Sequence, residues 1–289
     1  MLQFSLGSLL VVSLLLGPRS SFAQSGNAKA PSSTPVSATY LGFDSNDYPG
    51  EAKLAALKAT FSFAGYWLNA PPGERTDSWL GKRDALQQRG FGFLILFNGR
   101  LDRQLKSEDR AETLGKRDGA DAANAALREG FAKGGTIFLD QEEGGRLLPE
   151  QNAYLLAWID AVIAAGFKAG VYCSGIASAD GPGKTITTAD DIRANRGSRE
   201  IAFFVYEDAC PPSPGCVNVA NPPPPSDSGV AYATLWQFAQ SPRRPQYARA
   251  CRSTYARDGN CYPPAGSAAS SVFLDLNSAL SPDPSNGRR

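Results

Sequence analysis

Carboxylates are the residues whose spacing in this chain could do chemistry. Asp140-Gln141-Glu142-Glu143 puts three acids within four residues, after the run Thr136-Ile137-Phe138-Leu139 and between two glycine pairs. The β-branched and aromatic run reads as a buried strand bounded by its glycines. Alternation along a strand sends Asp140 and Glu142 to one side and Gln141 to the other. Neighbouring acids push their pKa values apart, leaving a neutral acid beside an anion near neutral pH. A general acid with an electrostatic or nucleophilic partner needs that pairing. The plainer reading is a helix cap or a solvated loop, and the rest of the chain has to decide between them.

Composition narrows the chemistry. The chain has no histidine among its 289 residues, which removes Ser-His-Asp and Cys-His catalysis and histidine-ligated zinc. Five cysteines are present, Cys173, Cys210, Cys216, Cys251 and Cys261, and none forms a Cys-x-x-Cys pair. No metal or other cofactor is expected from them. A secreted chain favours disulfides. Four cysteines allow three pairings, of which the short loops favour Cys210–Cys216 and Cys251–Cys261. Cys173 sits in an apolar run and reads as a buried free thiol. The net charge is +1, so no basic face is implied and nucleic acid is not an expected partner.

The elements that must position the acids alternate in type. Strand signals fall at 39–44, 61–68, 91–97, 136–140, 169–173, 201–206, 233–238 and 271–276. Helix signals fall between them at 51–59, 78–89, 119–133, 149–165 and 188–195, with Gly90 and Gly166 as C-caps. Near-continuous apolar strands separated by helices predict an α/β protein with a parallel sheet. Eight of them predict a (β/α)8 TIM barrel over 38–280. The last third is less regular, since 207–231 is proline-rich and predicts a loop. Residues 281–289 are expected to form a disordered tail.

Residues 1–23 read as a secretory signal: an apolar core too short to span a bilayer, then Ser21-Phe22-Ala23, although no Lys or Arg precedes the core. Cleavage near Ala23 would leave a secreted or periplasmic protein with a flexible leader at 24–37 and no membrane insertion. A monomer is expected.

Active sites of such barrels lie at the carboxyl ends of the strands. The predicted ends carry Asp44, Tyr66-Trp67, Asp140 with Glu142, Tyr172, Tyr206-Glu207, Trp236-Gln237 and Asp275-Leu276-Asn277. Acids with aromatic platforms suit a sugar, the acids handling the glycosidic oxygen and the rings stacking on pyranose faces.

Gly42-Phe43-Asp44, Asp140-Gln141-Glu142, Trp236-Gln237-Phe238 and Asp275-Leu276-Asn277 resemble glycoside hydrolase family 25, the lysozyme-type muramidases with a barrel fold. With Gly65-Tyr66-Trp67, residues 121–130 and Gly170-Val171-Tyr172, the chain is more similar to the glycoside-hydrolase-like barrels called domain of unknown function 1906. The resemblance implies Glu142 as general acid, Asp140 assisting, and Asp44 and Asp275 lining the subsite. The departures are the charged stretch 101–114, the insert 210–229 and the additional acid Glu143. The leading expectation is a hydrolase of an N-acetylated cell-wall glycan such as peptidoglycan. The alternative is a non-catalytic barrel that binds glycan through Tyr66, Trp67, Tyr172, Trp236 and Gln237. A metal-dependent hydrolase using the acids as oxygen ligands is a third reading.

Overall fold

The computed structural model describes residues 38–207, 221–240, 272 and 274–289. The signal, the leader and both expected disulfides lie outside these residues. Cys173 is buried and free.

Eight strands close into a barrel. They are β1 (Tyr40–Asp44), β2 (Phe63–Trp67), β3 (Gly92–Asn98), β4 (Thr136–Asp140), β5 (Lys168–Ser174), β8 (Ile201–Tyr206), β9 (Leu235–Ala239) and β10 (Asp275–Ala279). A small hairpin of β6 (Ser178–Ala179) and β7 (Thr185–Ile186) follows β5. Helices α1 (Glu51–Lys58), α2 (Arg83–Gln88), α3 (Glu108–Arg128), α4 (Pro149–Ala164) and α5 (Thr188–Asn195) occupy the connections. Between β8 and β9 the described residues hold only a short 3-10 turn, Pro225–Ser228, in line with the expected loop.

The barrel is not wholly parallel. β1 to β5, β8 and β9 pair in parallel, whereas β10 runs antiparallel to both β9 and β1. Its start, not its end, therefore lies beside the end of β1, with Asp275 opposite Asp44. A period-two pattern is the same read in either direction, so sequence spacing could not reveal the reversal. Asp275 reaches the expected rim because its strand is inverted.

Large and small side chains interlock inside the barrel. Gly42 is the register partner of Phe63, and a Cβ there would lie 2.1 Å from the phenylalanine ring. Gly170 stands likewise opposite Phe138, at 2.3 Å. Phe204 completes the layer, 6.3 Å from Phe138 between ring centroids. This interior is a packed floor rather than a pore.

Two predicted helices shift. α3 begins at Glu108, well before the expected 119, and absorbs the second half of the charged stretch 101–114. Gly115 and Gly119 let α4 approach. A Cβ on Gly115 would lie 2.2 Å from the Tyr154 carbonyl oxygen, and one on Gly119 2.6 Å from that of Trp158. The helix expected over 78–89 shortens to α2, because Asp77 Oδ1 accepts the Trp79 N–H at 2.8 Å and Gly81 adopts a positive φ.

The carboxyl-terminal residues, expected to fray, instead close the amino end of the barrel. β3 pairs with β4 only from Ile95 onward, which leaves its first residues open on that edge. The tail fills the gap: Phe93 N donates to Asp283 Oδ1 at 2.8 Å, Ser285 N to the Phe93 carbonyl at 2.9 Å and Ile95 N to Ser285 Oγ at 2.9 Å. The Arg83 guanidinium holds the carbonyls of Gly287 and Arg289 at 3.0 and 3.1 Å. Buried backbone donors must find acceptors, and here the tail supplies them.

Candidate active site

At the other end the strands present a polar layer above the phenylalanine floor. Asp44 points inward: a Cβ on Gly65 of the neighbouring strand would lie 2.5 Å from the Asp44 Cβ. Asp44 Oδ1 accepts from Asn277 Nδ2 at 2.7 Å and from Gln237 Nε2 at 3.1 Å. Gln237 Oε1 in turn accepts from the Tyr172 hydroxyl at 2.9 Å and from Gln240 Nε2 at 3.1 Å. One hydrogen-bonded chain thus crosses the opening from β5 through β9 to β1 and β10.

Tyr172 gathers the acids. Burial lifts its phenol well above the ordinary range, and the carboxylates of Asp140, Glu142, Asp44 and Asp275 lift it further. It therefore stays protonated and donates to Gln237. Asp140 is its register partner on β4, and Asp44 and Asp275 face each other across β1 and β10. Asp44, Asp140 and Asp275 are all buried, whereas Glu142 is exposed in the loop after β4. Buried acids form the base of the opening and one exposed acid overhangs it.

The loop that carries Glu142 is fastened on both sides. Glu143 accepts the Asp102 N–H at 2.8 Å and Gln151 Nε2 at 2.5 Å, so this extra acid is a structural tie. Beyond Glu142, Thr188 Oγ1 donates to the Gly145 carbonyl at 2.9 Å. The fully buried Asp191 accepts from Arg146 Nη1 and the Leu147 N–H, each at 2.9 Å.

Of the residues expected at the site, Asp44, Asp140, Glu142, Asp275, Tyr172 and Gln237 come together. Trp67 lies at the edge, its indole N–H donating to the Ser45 carbonyl at 3.2 Å beside that of Trp79 at 3.0 Å, which fixes the chain just after Asp44. Tyr66 and Trp236 do not belong. The Tyr66 ring is packed edge-on against Trp79, Phe93 and Phe131 outside the barrel, with its hydroxyl bonded to Glu129. Trp236 is buried on the outer face, its indole N–H donating to the Glu207 carbonyl at 2.8 Å and its ring edge-on to Phe238. Both are neighbours of inward residues, and the strand period turns them away. Asn277 was missed as a site residue, although its spacing from Asp275 repeats that of Glu142 from Asp140. Among the described residues no group of three or more His, Cys, Asp or Glu side chains is arranged to hold a metal ion.

Residues 69–199 match the model of the Rv2525c-like, glycoside hydrolase-like domain. The matched segment runs from the loop after β2 to the loop before β8 and includes Asp140, Glu142 and Tyr172. No curated protein matches the chain. Among solved structures, an uncharacterized B. stearothermophilus protein is 16% identical, with 83% of this chain and 95% of that one covered and a TM-score of 0.50. That likeness shows the fold. The Mycobacterium tuberculosis Tat-secreted protein Rv2525c, in complex with L-tartrate, is 13% identical over 86% of this chain and 97% of that one, with a TM-score of 0.49. The catalytic domain of endolysin ply40, from bacteriophage P40 of Listeria monocytogenes, is 16% identical over 83% and 93%, with a TM-score of 0.47.

Proposed function

We propose that the protein is a secreted glycoside hydrolase acting on an N-acetylated cell-wall glycan such as peptidoglycan. The observation that carries this reading is the meeting of Asp44, Asp140, Glu142 and Asp275 around the Tyr172 hydroxyl at the strand-end opening. The glycoside hydrolase-like domain matched over 69–199 supports the same reaction class.

Glu142, exposed on a fastened loop, protonates the leaving glycosidic oxygen. Asp140 stabilises the positive charge that develops on the sugar ring, or supports attack by the substrate's own acetamido group. Tyr172 donates its hydroxyl within the acid cluster, and Gln237 and Asn277 hold Asp44 in one orientation. Secretion rests on the signal read in residues 1–23, and no helix among the described residues is long and apolar enough to cross a membrane.

Incubation with purified peptidoglycan and, separately, chitin oligosaccharides tests the reading by mass spectrometry of the soluble products. New reducing-end fragments from the wild type, absent with Glu142→Gln, are expected. Full turnover by that variant would remove Glu142 from the role. The alternative, a binding barrel without chemistry, relied on four aromatic platforms, and Tyr66 and Trp236 are buried outside the opening. That burial favours the hydrolase.

A further inference from the structure

One ion pair ties the β6–β7 hairpin to the loop that carries Glu142. The two strands of the hairpin pair only with each other, and no residue from 176 to 187 is buried. A two-stranded hairpin has little stability of its own in water. A fork holds it: Arg146 Nε and Nη2 donate to the two carboxylate oxygens of Asp180 at 2.8 and 2.6 Å. Among the described residues this is the hairpin's only ion pair with the rest of the chain.

The same guanidinium reaches inward. Arg146 Nη1 donates to Asp191 Oδ1 at 2.9 Å, and Asp191, fully buried on α5, also accepts the Leu147 N–H at 2.9 Å and Asn195 Nδ2 at 3.1 Å. The Arg146 bond holds the Asp180 carboxyl below its ordinary range, and Lys184 of the hairpin lowers it further. Two cations thus face two carboxylates, and the cluster has no charge left over for a ligand. Its use is mechanical.

The backbone of the Glu142 loop is tied at Gln141, whose N–H donates to the Tyr172 carbonyl at 3.0 Å, and again at Leu147. Between these ties Gly144 and Gly145 give the chain more freedom than other residues would. Gly145 takes a positive φ, with its carbonyl held by Thr188. Glu143 is bonded through its side chain, which leaves its backbone torsions to be set from elsewhere. The turn rests on the chain leading into the hairpin: a Cβ on Gly144 would lie 3.5 Å from that of Ser174, and one on Gly145 3.4 Å from that of Ser178. Where Glu142 stands therefore depends on where residue 146 and the hairpin are held.

We propose that Arg146 and Asp180 are positioning residues for Glu142, the fork between them making the β6–β7 hairpin the outer support of the general-acid loop. The proposal rests on the hydrolase reading for the role of Glu142. Neither residue touches the substrate; both act on how well the acid meets the leaving oxygen.

A leaving group that departs without a proton separates this role from a merely structural one. An N-acetylglucosamine oligomer needs the acid, whereas its para-nitrophenyl glycoside releases a stable phenolate. Asp180→Asn breaks the fork and leaves Arg146 on Asp191. The pair is exposed, so the melting temperature should hardly move. This variant is expected to lower kcat for the oligomer about tenfold, below the ~100-fold loss that a misplacement of about 1 Å brings. KM for the oligomer and the release of nitrophenol should stay at their wild-type values. Arg146→Lys keeps a charge for Asp191 but cannot fork, and should give the same split. Asp180→Glu restores a carboxylate and should recover part of the rate. An unchanged kcat for the oligomer in Asp180→Asn, or an equal loss on both substrates, would overturn the proposal. If Glu142→Gln shows the split and Asp180→Asn does not, the positioning fails and the hydrolase stands. Hydrogen exchange of residues 141–147 gives a readout without turnover: Asp180→Asn should speed it, and unchanged exchange there would also overturn the proposal. If the wild type cleaves neither substrate while the exchange quickens, the hydrolase reading fails and the fork still holds the loop.

Discussion

Tyr66 and Tyr172 both lie near the carboxyl ends of parallel barrel strands, and their surroundings are opposite. Tyr172 faces inward, bonds Gln237 and feels four carboxylates. Tyr66 faces outward into rings and bonds Glu129 under α2 and α3. Trp236 and Gln237 repeat the contrast within two adjacent residues, one packed behind the barrel and one inside the opening. A strand end offers both a chemical face and a packing face, and only the side of the pleat separates them. The inner face is polar, and its buried groups hold one another; the outer face is aromatic and holds the helices.

The largest effect that separates the two faces is on turnover. Glu142→Gln is expected to lower release of reducing ends from peptidoglycan about 100- to 10,000-fold, the usual contribution of a general acid. Its melting temperature should stay near that of the wild type, because Glu142 is exposed. A matching loss of stability would mean that Glu142 is a structural acid like Glu143.

Trp236→Ala should do the reverse. Removing a buried indole costs on the order of 3–5 kcal/mol, read by denaturant unfolding, while the product spectrum of the folded fraction stays the same. A changed spectrum would move Trp236 into the site and break the comparison.

Asn277→Ala sharpens the inner face. It removes a 2.7 Å bond to a buried carboxylate and should cost about 1.5–3 kcal/mol. It should also reduce turnover, because Asp44 loses the shorter of its bonds to Asn277 and Gln237, whereas an outer-face change of equal cost should not.

The smallest effect concerns Asp77, which sits on the outer side beside Trp79. Burial lifts its carboxyl from 3.8 to about 6, against the Trp79 N–H, which lowers it, and with a small upward push from Glu129. The folded state holds this proton more tightly than the unfolded chain. The stabilisation is complete below the unfolded value and is lost as pH rises through about 6. Asp77→Asn keeps an acceptor for Trp79 and removes the charge. It should raise stability at neutral pH by under about 2 kcal/mol, allowing for solvent screening, and leave stability near pH 3 unchanged. Thermal melts at the two pH values check the sign.

Much of this was legible from residue order. β4 and β8 lie where the apolar runs placed them, and α5 where its helix signal did, because local pattern and burial agree there. The acids of the opening were legible for a related reason: a carboxylate that ends a buried strand is conspicuous against the apolar run before it. Chain closure decided the rest. The direction of β10 is invisible in a pattern that reads the same both ways. Whether Tyr66 or Trp236 faced a ligand or a helix depended on which side of each strand became the inside. The glycines of α3 found their use only when α4 lay against them, and the last nine residues, 281–289, looked loose until the unpaired edge of β3 gave their polar groups partners. Residue types set what each segment could do alone. Contacts between segments far apart in the chain chose among those options, because burial and hydrogen bonding are satisfied only when the barrel is shut.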